Sequence, residues 1–368
     1  MKKILLLFIL LIFTTLNSFA SEESKILPAQ IGIINNINYI DNTELEDTQH
    51  VIQQVEVKIL KGKYKNQNII IENILTGNPY YDINLKKGVK VILHTEQEDD
   101  KITFSIENIY RSNLLVFLIV LFGGILIYVG KKKGIYSLVS IILTCLLIIY
   151  LLSPLILRGF NPIFATIIAC IFSTVITIYL VGGFNRKSTA AVIGCMLSII
   201  IAGIISIIII KLSAINGFTD EQTMFLYASH PELNFVAILV STMILATLGA
   251  VMDVAMSIAS TINEIYTVDS SKTIKELFTC GMNVGKDVIG TMANTLILVY
   301  LGASLPLLLL ASNIDLLKFV NLNQVFVEIA SALIGSCAIV ICVPITAIVS
   351  SELIKKAPPE FKFPKLQD

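Results

Sequence analysis

The chain has 368 residues, of which 55% are hydrophobic and 15% charged, and its formal net charge is zero. Soluble domains carry about 25% charged residues, so this composition, with a mean hydropathy of +0.80, excludes an ordinary soluble globule and points to a polytopic protein of the lipid bilayer. The balanced charge supplies no broad basic surface for nucleic acid.

The chain begins MKKILLLFILLIFTTLNSFA. Lys2 and Lys3 precede a ten-residue apolar run, Ile4 to Phe13, which is short for a membrane span. Small residues at Ser18 and Ala20 complete the pattern of a signal peptide cut after Ala20. Residues 21–110 are different material. HVIQQVEVKIL (50–60), NIIIENIL (68–75), VKVILHT (89–95) and KITFSIENIY (101–110) carry short period-two runs, separated by turn segments such as KGKYKNQ and TGNPYYD. This pattern predicts about five strands and a small exported all-β domain of barrel or OB-like size.

From residue 113 onward the apolar stretches reach membrane-spanning length, about 20 residues. Seven are predicted: 113–130, 135–157, 161–182, 189–211, 233–255, 290–311 and 323–350, the last containing Pro344. The expected fold is therefore an all-α bundle of about seven transmembrane helices behind the β domain. The expected divisions are 1–20, 21–110, 111–355 and a tail at 356–368. With 21–110 outside, twelve Lys and Arg fall on inner loops and the tail, against Arg158, Lys211 and Lys318 on outer loops. That bias obeys the positive-inside rule and predicts a cytoplasmic C-terminus in a plasma membrane.

The sequence lacks the constellations of common enzymes. His50, His94 and His230 lie far apart, and no HExxH or other zinc-ligand spacing occurs. GGFNRKST at 182–189 lacks the glycine that precedes the lysine of a phosphate loop. The six cysteines avoid 21–110 and form no metal-ligand pair. No catalytic residue, metal site or cofactor is assigned, and an enzyme is not expected.

Polar residues within apolar surroundings are the informative ones. Asp253 follows an 18-residue apolar run, with Ser257, Ser260 and Glu264 four, seven and eleven residues on. At 3.6 residues per turn these share one helical face. Ala246, Gly249, Ala250, Ala255 and Ala259 are small enough for a neighbouring helix to approach closely. In GMNVGKDVIGTMANTLILVYLGASLP (281–306), Asn283, Asp287, Thr291 and Asn294 form a second stripe, with Lys286 beside Asp287. The two stripes are expected to face each other and to hold a cation or relay protons, since ionisable groups inside a membrane mark ion and substrate pathways. Glu328, near the start of the last span, is a weaker candidate.

TLGAVMDVAMSIAS and GKDVIGTMANTLILVYLGASLP resemble the paired signatures of YibE/F family membrane proteins. The order of parts is similar too, an exported β-rich segment followed by spans with both motifs late in the chain. The resemblance implies a bacterial multipass plasma-membrane protein and supplies no activity. Lys286 stands where the resemblance leads one to expect a basic residue, often arginine.

Two functions are carried forward. In the first, the chain is a secondary transporter or permease of a small solute or ion, using the carboxylates of the two stripes. In the second, it is an envelope binding or scaffold protein whose exported domain engages a partner through aromatic residues such as Tyr64, Tyr80 and Tyr81, with the spans as anchor. An intramembrane hydrolase has no nucleophile–base arrangement to support it.

Overall fold

The computed structural model describes residues 29–41, 51–98 and 101–356. The expected signal peptide, His50 and all of the expected tail beyond Lys356 lie outside them. The described residues fall into two compact units divided between Ile125 and Leu126. That division falls inside the first helix.

The first unit is a five-stranded antiparallel sheet: β1 (Gln30–Asp41), β2 (Val51–Lys61), β3 (Asn68–Leu75), β4 (Lys90–Glu98) and β5 (Lys101–Ile109). The strand order is β3-β2-β1-β4-β5. The two edge strands approach each other, so the sheet is nearly closed. Alternation drives this fold. Val55, Val57 and Ile59 of β2 point inward and are fully buried with Ile34, Val91 and Leu93. Each such side chain stabilises the folded state by about 1.5–3 kcal/mol. β1 departs from strict alternation, with register shifts at Ile31/Gly32 and Ile34/Asn36 that bend the strand.

Six helices among the described residues are long and apolar enough to cross a membrane. The first expected pair of spans forms one 46-residue helical run, Ser112–Leu157. It comprises α1 (Ser112–Leu147), a π-helical turn (Ile148–Leu152) and α2 (Ser153–Leu157). Within α1, Lys131 has φ 47° and ψ −128°, which no helix accommodates. A Cβ at Gly134 would collide with the carbonyl oxygen of Leu126. Eight helical residues rise about 12 Å, so that collision means the backbone turns sharply at Lys131. The two expected stretches are the two arms that meet at this non-helical residue.

The other long helices are α3 (Pro162–Gly182), α4 (Arg186–Leu212), α6 (Phe235–Val268), α7 (Ile274–Ala303) and α10 (Asn323–Lys356). Short helices α5 (Glu221–Ser229), α8 (Leu305–Leu310) and α9 (Leu316–Val320) occupy the connections. Starts follow side-chain caps. Asn161 with Pro162 opens α3, and Asn185, in the GGFNRKST turn, opens α4 by accepting from the Ser188 amide at 2.9 Å. α10 runs through Pro344 as one helix.

A single apolar core joins α3, α4, α6, α7 and α10. Lipid tails are as apolar as these side chains, so the helices associate by close packing rather than by escape from water. Glycines make that packing possible. Gly203 of α4 meets Ile244 of α6, Gly194 meets Thr346 of α10, and Gly335 of α10 meets Leu296 of α7. The second arm of α1 is held to α3 by paired hydroxyls, Ser140 to Thr177 at 2.7 Å and Thr144 to Ser173 at 3.1 Å.

Candidate functional site

The two polar stripes lie on α6 and α7, which are consecutive and joined by a tight, well-capped turn. Thr273 and Glu276 form a reciprocal capping box at the start of α7. Ser271 donates to Asp269 from both hydroxyl and amide, and holds that carboxyl below the usual carboxylate range, with help from Lys272 3.8 Å away. Lys355, near the end of α10, donates to the Ser270 carbonyl at 2.8 Å and lies over the Tyr266 ring. Three helix ends are thus fastened at one point.

α6 is amphipathic in an unusual sense. Its buried face carries Val251, Val254, Ala255, Ile258, Ala259 and Ile262. Its exposed face carries Thr242, Ala246, Gly249, Asp253, Ser257 and Glu264, with Ser260 half-buried beside them. No large apolar side chain interrupts that face. On one flank, Leu245 packs with the Ala165–Ala169 cluster and Met256 meets the end of α3 at Gly182. On the opposite side of α6, Ile258 and Ile262 meet α7. The Asp253 face is therefore an open side of α6, adjoining α3 and turned away from α7.

α7 sits on its neighbours through glycines. A Cβ at Gly281 would lie 2.6 Å from Ile262 Cδ1, and one at Gly285 would overlap Val343 Cγ1 of α10 and lie 3.2 Å from Ile258 Cδ1. Asn283, Lys286, Asp287, Thr291 and Asn294 are all exposed. In its most apolar stretch α7 is 11% buried, against 56% for α6, so it is the peripheral member of the core. Thr291 turns its hydroxyl back to the Val288 carbonyl at 3.1 Å.

The expectation that the two stripes face each other does not hold in this geometry. At 100° per residue, Ile258 and Ile262 stand about 140° and 180° around α6 from Asp253. Gly285 and Gly281 stand about 160° and 120° around α7 from Asp287. The helices touch through the faces that carry the glycines, and both carboxylates point away from that contact. The reason is steric: Gly281 and Gly285 alone let α7 come this close. Periodicity shows which residues share a face and is silent on which face a neighbour takes. Among the described residues, no ion pair joins Asp253, Lys286 or Asp287. None of the described groups of His, Cys, Asp and Glu has the grouping of a metal site.

The remaining candidates divide. Tyr64 is half-buried and packs edge-on against Phe104 at 5.4 Å, a core contact of the sheet. Tyr80 and Tyr81 are 73% and 69% exposed and pack edge-on against each other at 4.9 Å. Asp220 caps α5 by accepting from the Thr223 amide at 2.7 Å. Glu328 lines an apolar cavity with Tyr300, a residue that sequence reading placed in no site.

Residues 118–356 match the family model described as YibE/F-like protein, and residues 27–109 match the one described as YibE/F family N-terminal domain. A search of curated proteins and of solved structures found no match.

Proposed function

The chain belongs to the YibE/F family, and from that premise we propose that it is a secondary transporter or permease of a small solute or ion, with the open polar faces of α6 and α7 lining its path. The observation that carries this reading is the exposed stripe Asn283, Asp287, Thr291 and Asn294 on a helix of membrane-spanning length. Hydrocarbon does not solvate such a row, and ionisable residues at membrane depth face a protein interior or a water-filled cavity. Asp253, Ser257 and Ser260 form a separate polar face on α6. The two stripes do not face each other, so in this reading the carboxylates serve as successive stations for a cation or proton rather than as one closed chelate. The loop-charge bias supports an arrangement with 21–110 outside and the C-terminus in the cytoplasm.

Single cysteines at 253, 257, 283, 287, 291 and 294, in a background without the six native ones, test this with a membrane-impermeant thiol reagent. The expected result is labelling at these positions and none at 258 and 285. In proteoliposomes, Asp253→Asn and Asp287→Asn are expected to lower flux at least tenfold while insertion is unchanged. Uniform protection of the stripe positions, together with their quenching by spin-labelled lipid, would sink the reading.

A second reading has its own support. The Tyr80–Tyr81 pair sits on a loop fixed by Asp82, which accepts from Thr76 and Gly77 amides at 2.6 and 2.8 Å. Exposed aromatics on a rigid loop suit capture of an envelope partner. Loss of a phenotype on Tyr80→Ser/Tyr81→Ser with flux intact would favour it.

A further inference from the structure

Exposure is uneven around α7. Gly281 and Gly285 seat one side of it on α6 and α10. On the other side Asn283, Asp287, Thr291 and Asn294 are exposed, and Leu298 and Leu301 continue the row at 57% and 41% exposure. At 100° per residue all six lie within about 40° of Asp287 around the helix. The first half of the row is therefore polar and the second half apolar. Among the described residues, the side-chain amides of Asn283 and Asn294 form no hydrogen bond, and Lys286 and Asp287 form no ion pair. Hydrocarbon satisfies none of these groups.

We propose that this side of α7 faces a second copy of the chain across a two-fold axis. Leu298 and Leu301 of the two copies pack together, while Asn283, Asp287 and Asn294 look at their counterparts across a cleft that holds water. Charge complementarity selects a copy as the occupant. Lys286 adjoins Asp287 at the rim of the row, so the face offers a cation and an anion side by side. A two-fold interface brings residue i of one copy to residue j of the other, and j to i. Each Lys286 is thereby set opposite the Asp287 of the other copy. Asparagine carries both donors and acceptors, so Asn283 and Asn294 are each complementary to themselves. The leucines need an apolar surface at their own depth, and a copy inserted in the same direction presents one. Every group on this face thus finds its complement on the same face. The pairing rests only on α7 spanning the bilayer. Passage of a solute along the cleft rests on the transport reading above, to which the second copy adds the wall opposite Asp287.

The test uses the full chain in native membranes, with its six cysteines replaced by serine. Leu298→Cys and Leu301→Cys are expected to give disulfide-linked dimers on mild oxidation, about tenfold more than Ile204→Cys and Leu333→Cys, whose side chains are exposed on α4 and α10. Two positions guard against a variant that fails to insert. In the Leu298→Cys background, Lys286→Asp and Asp287→Lys are each expected to lower cross-linking about fivefold. Co-expressing the two with different tags is expected to restore it as a mixed pair, which a role confined to one chain does not produce. Cross-linking no greater than at the two control positions, a product of mass other than twice the chain's, or no recovery in the mixed pair overturns the proposal. Flux in proteoliposomes is scored separately: dimers without flux uphold the pairing and remove the path, whereas flux without dimers overturns the pairing and leaves the path.

Discussion

Replacing Gly285 by alanine probes the contact that fixes where the polar face of α7 points. Gly285 lies in a helix, so alanine brings an intrinsic gain of about 1 kcal/mol. Against it stands the new methyl, which would overlap Val343 Cγ1 and press on Ile258 Cδ1 at 3.2 Å. Ordinary carbon contacts are about 3.5–4.0 Å. Val343 and Ile258 are fully buried, and a branched valine has little rotameric freedom to yield. Overpacking of this kind costs about 1–3 kcal/mol, so the net loss is up to about 2 kcal/mol. For a chain of this size that lowers Tm by no more than about 8 °C. The assay is thermal unfolding in detergent followed by monodispersity, repeated with Val343→Ala, which removes the obstructing methyl. The double variant is expected to be more stable than Gly285→Ala alone, with a coupling of at least about 1 kcal/mol. A Gly285→Ala protein more stable than the wild type, or strictly additive losses in the double variant, would refute the seat described for α7.

Thr273→Ala removes the hydroxyl half of the α7 capping box; about 1 kcal/mol of stability is expected to go with it, read as faster amide exchange at residues 273–277. Asp82→Ala leaves the Thr76 and Gly77 amides without their carboxylate; charged hydrogen bonds of this kind contribute about 1.5–3 kcal/mol, and loss of exchange protection confined to 76–82 is the expected outcome, with unchanged exchange at those amides counting against the loop as drawn.

The strands were legible because burial on one side of a sheet writes itself in period two. Expected runs at 50–60, 68–75, 89–95 and 101–110 coincide with β2 to β5 within a few residues. β1 lay hidden in IGIINNINYI, where bulges near Gly32 and Asn36 break the alternation. The helices were legible by apolar length, and their ends less so. α7 begins at Ile274 rather than near 290, since its first turns are polar and cap-driven rather than apolar. Ser257, Ser260 and Glu264 do share a side of α6 with Asp253, because one uninterrupted helix carries all four. What sequence spacing could not convey was the direction of that side. Two glycines decided it, and glycine is silent in a hydropathy pattern.

Those glycines bear on mechanics as well as placement. Among the core helices α7 has the least buried apolar stretch. Its near end is pinned by the Asp269–Thr273 turn and by Lys355, while its far end terminates at the Ser304–Pro306 break. A rod clamped at one tip and jointed at the other is a lever. Tilting it disturbs less packing than moving α4, α6 or α10 would, which makes it the natural moving part against a stationary frame.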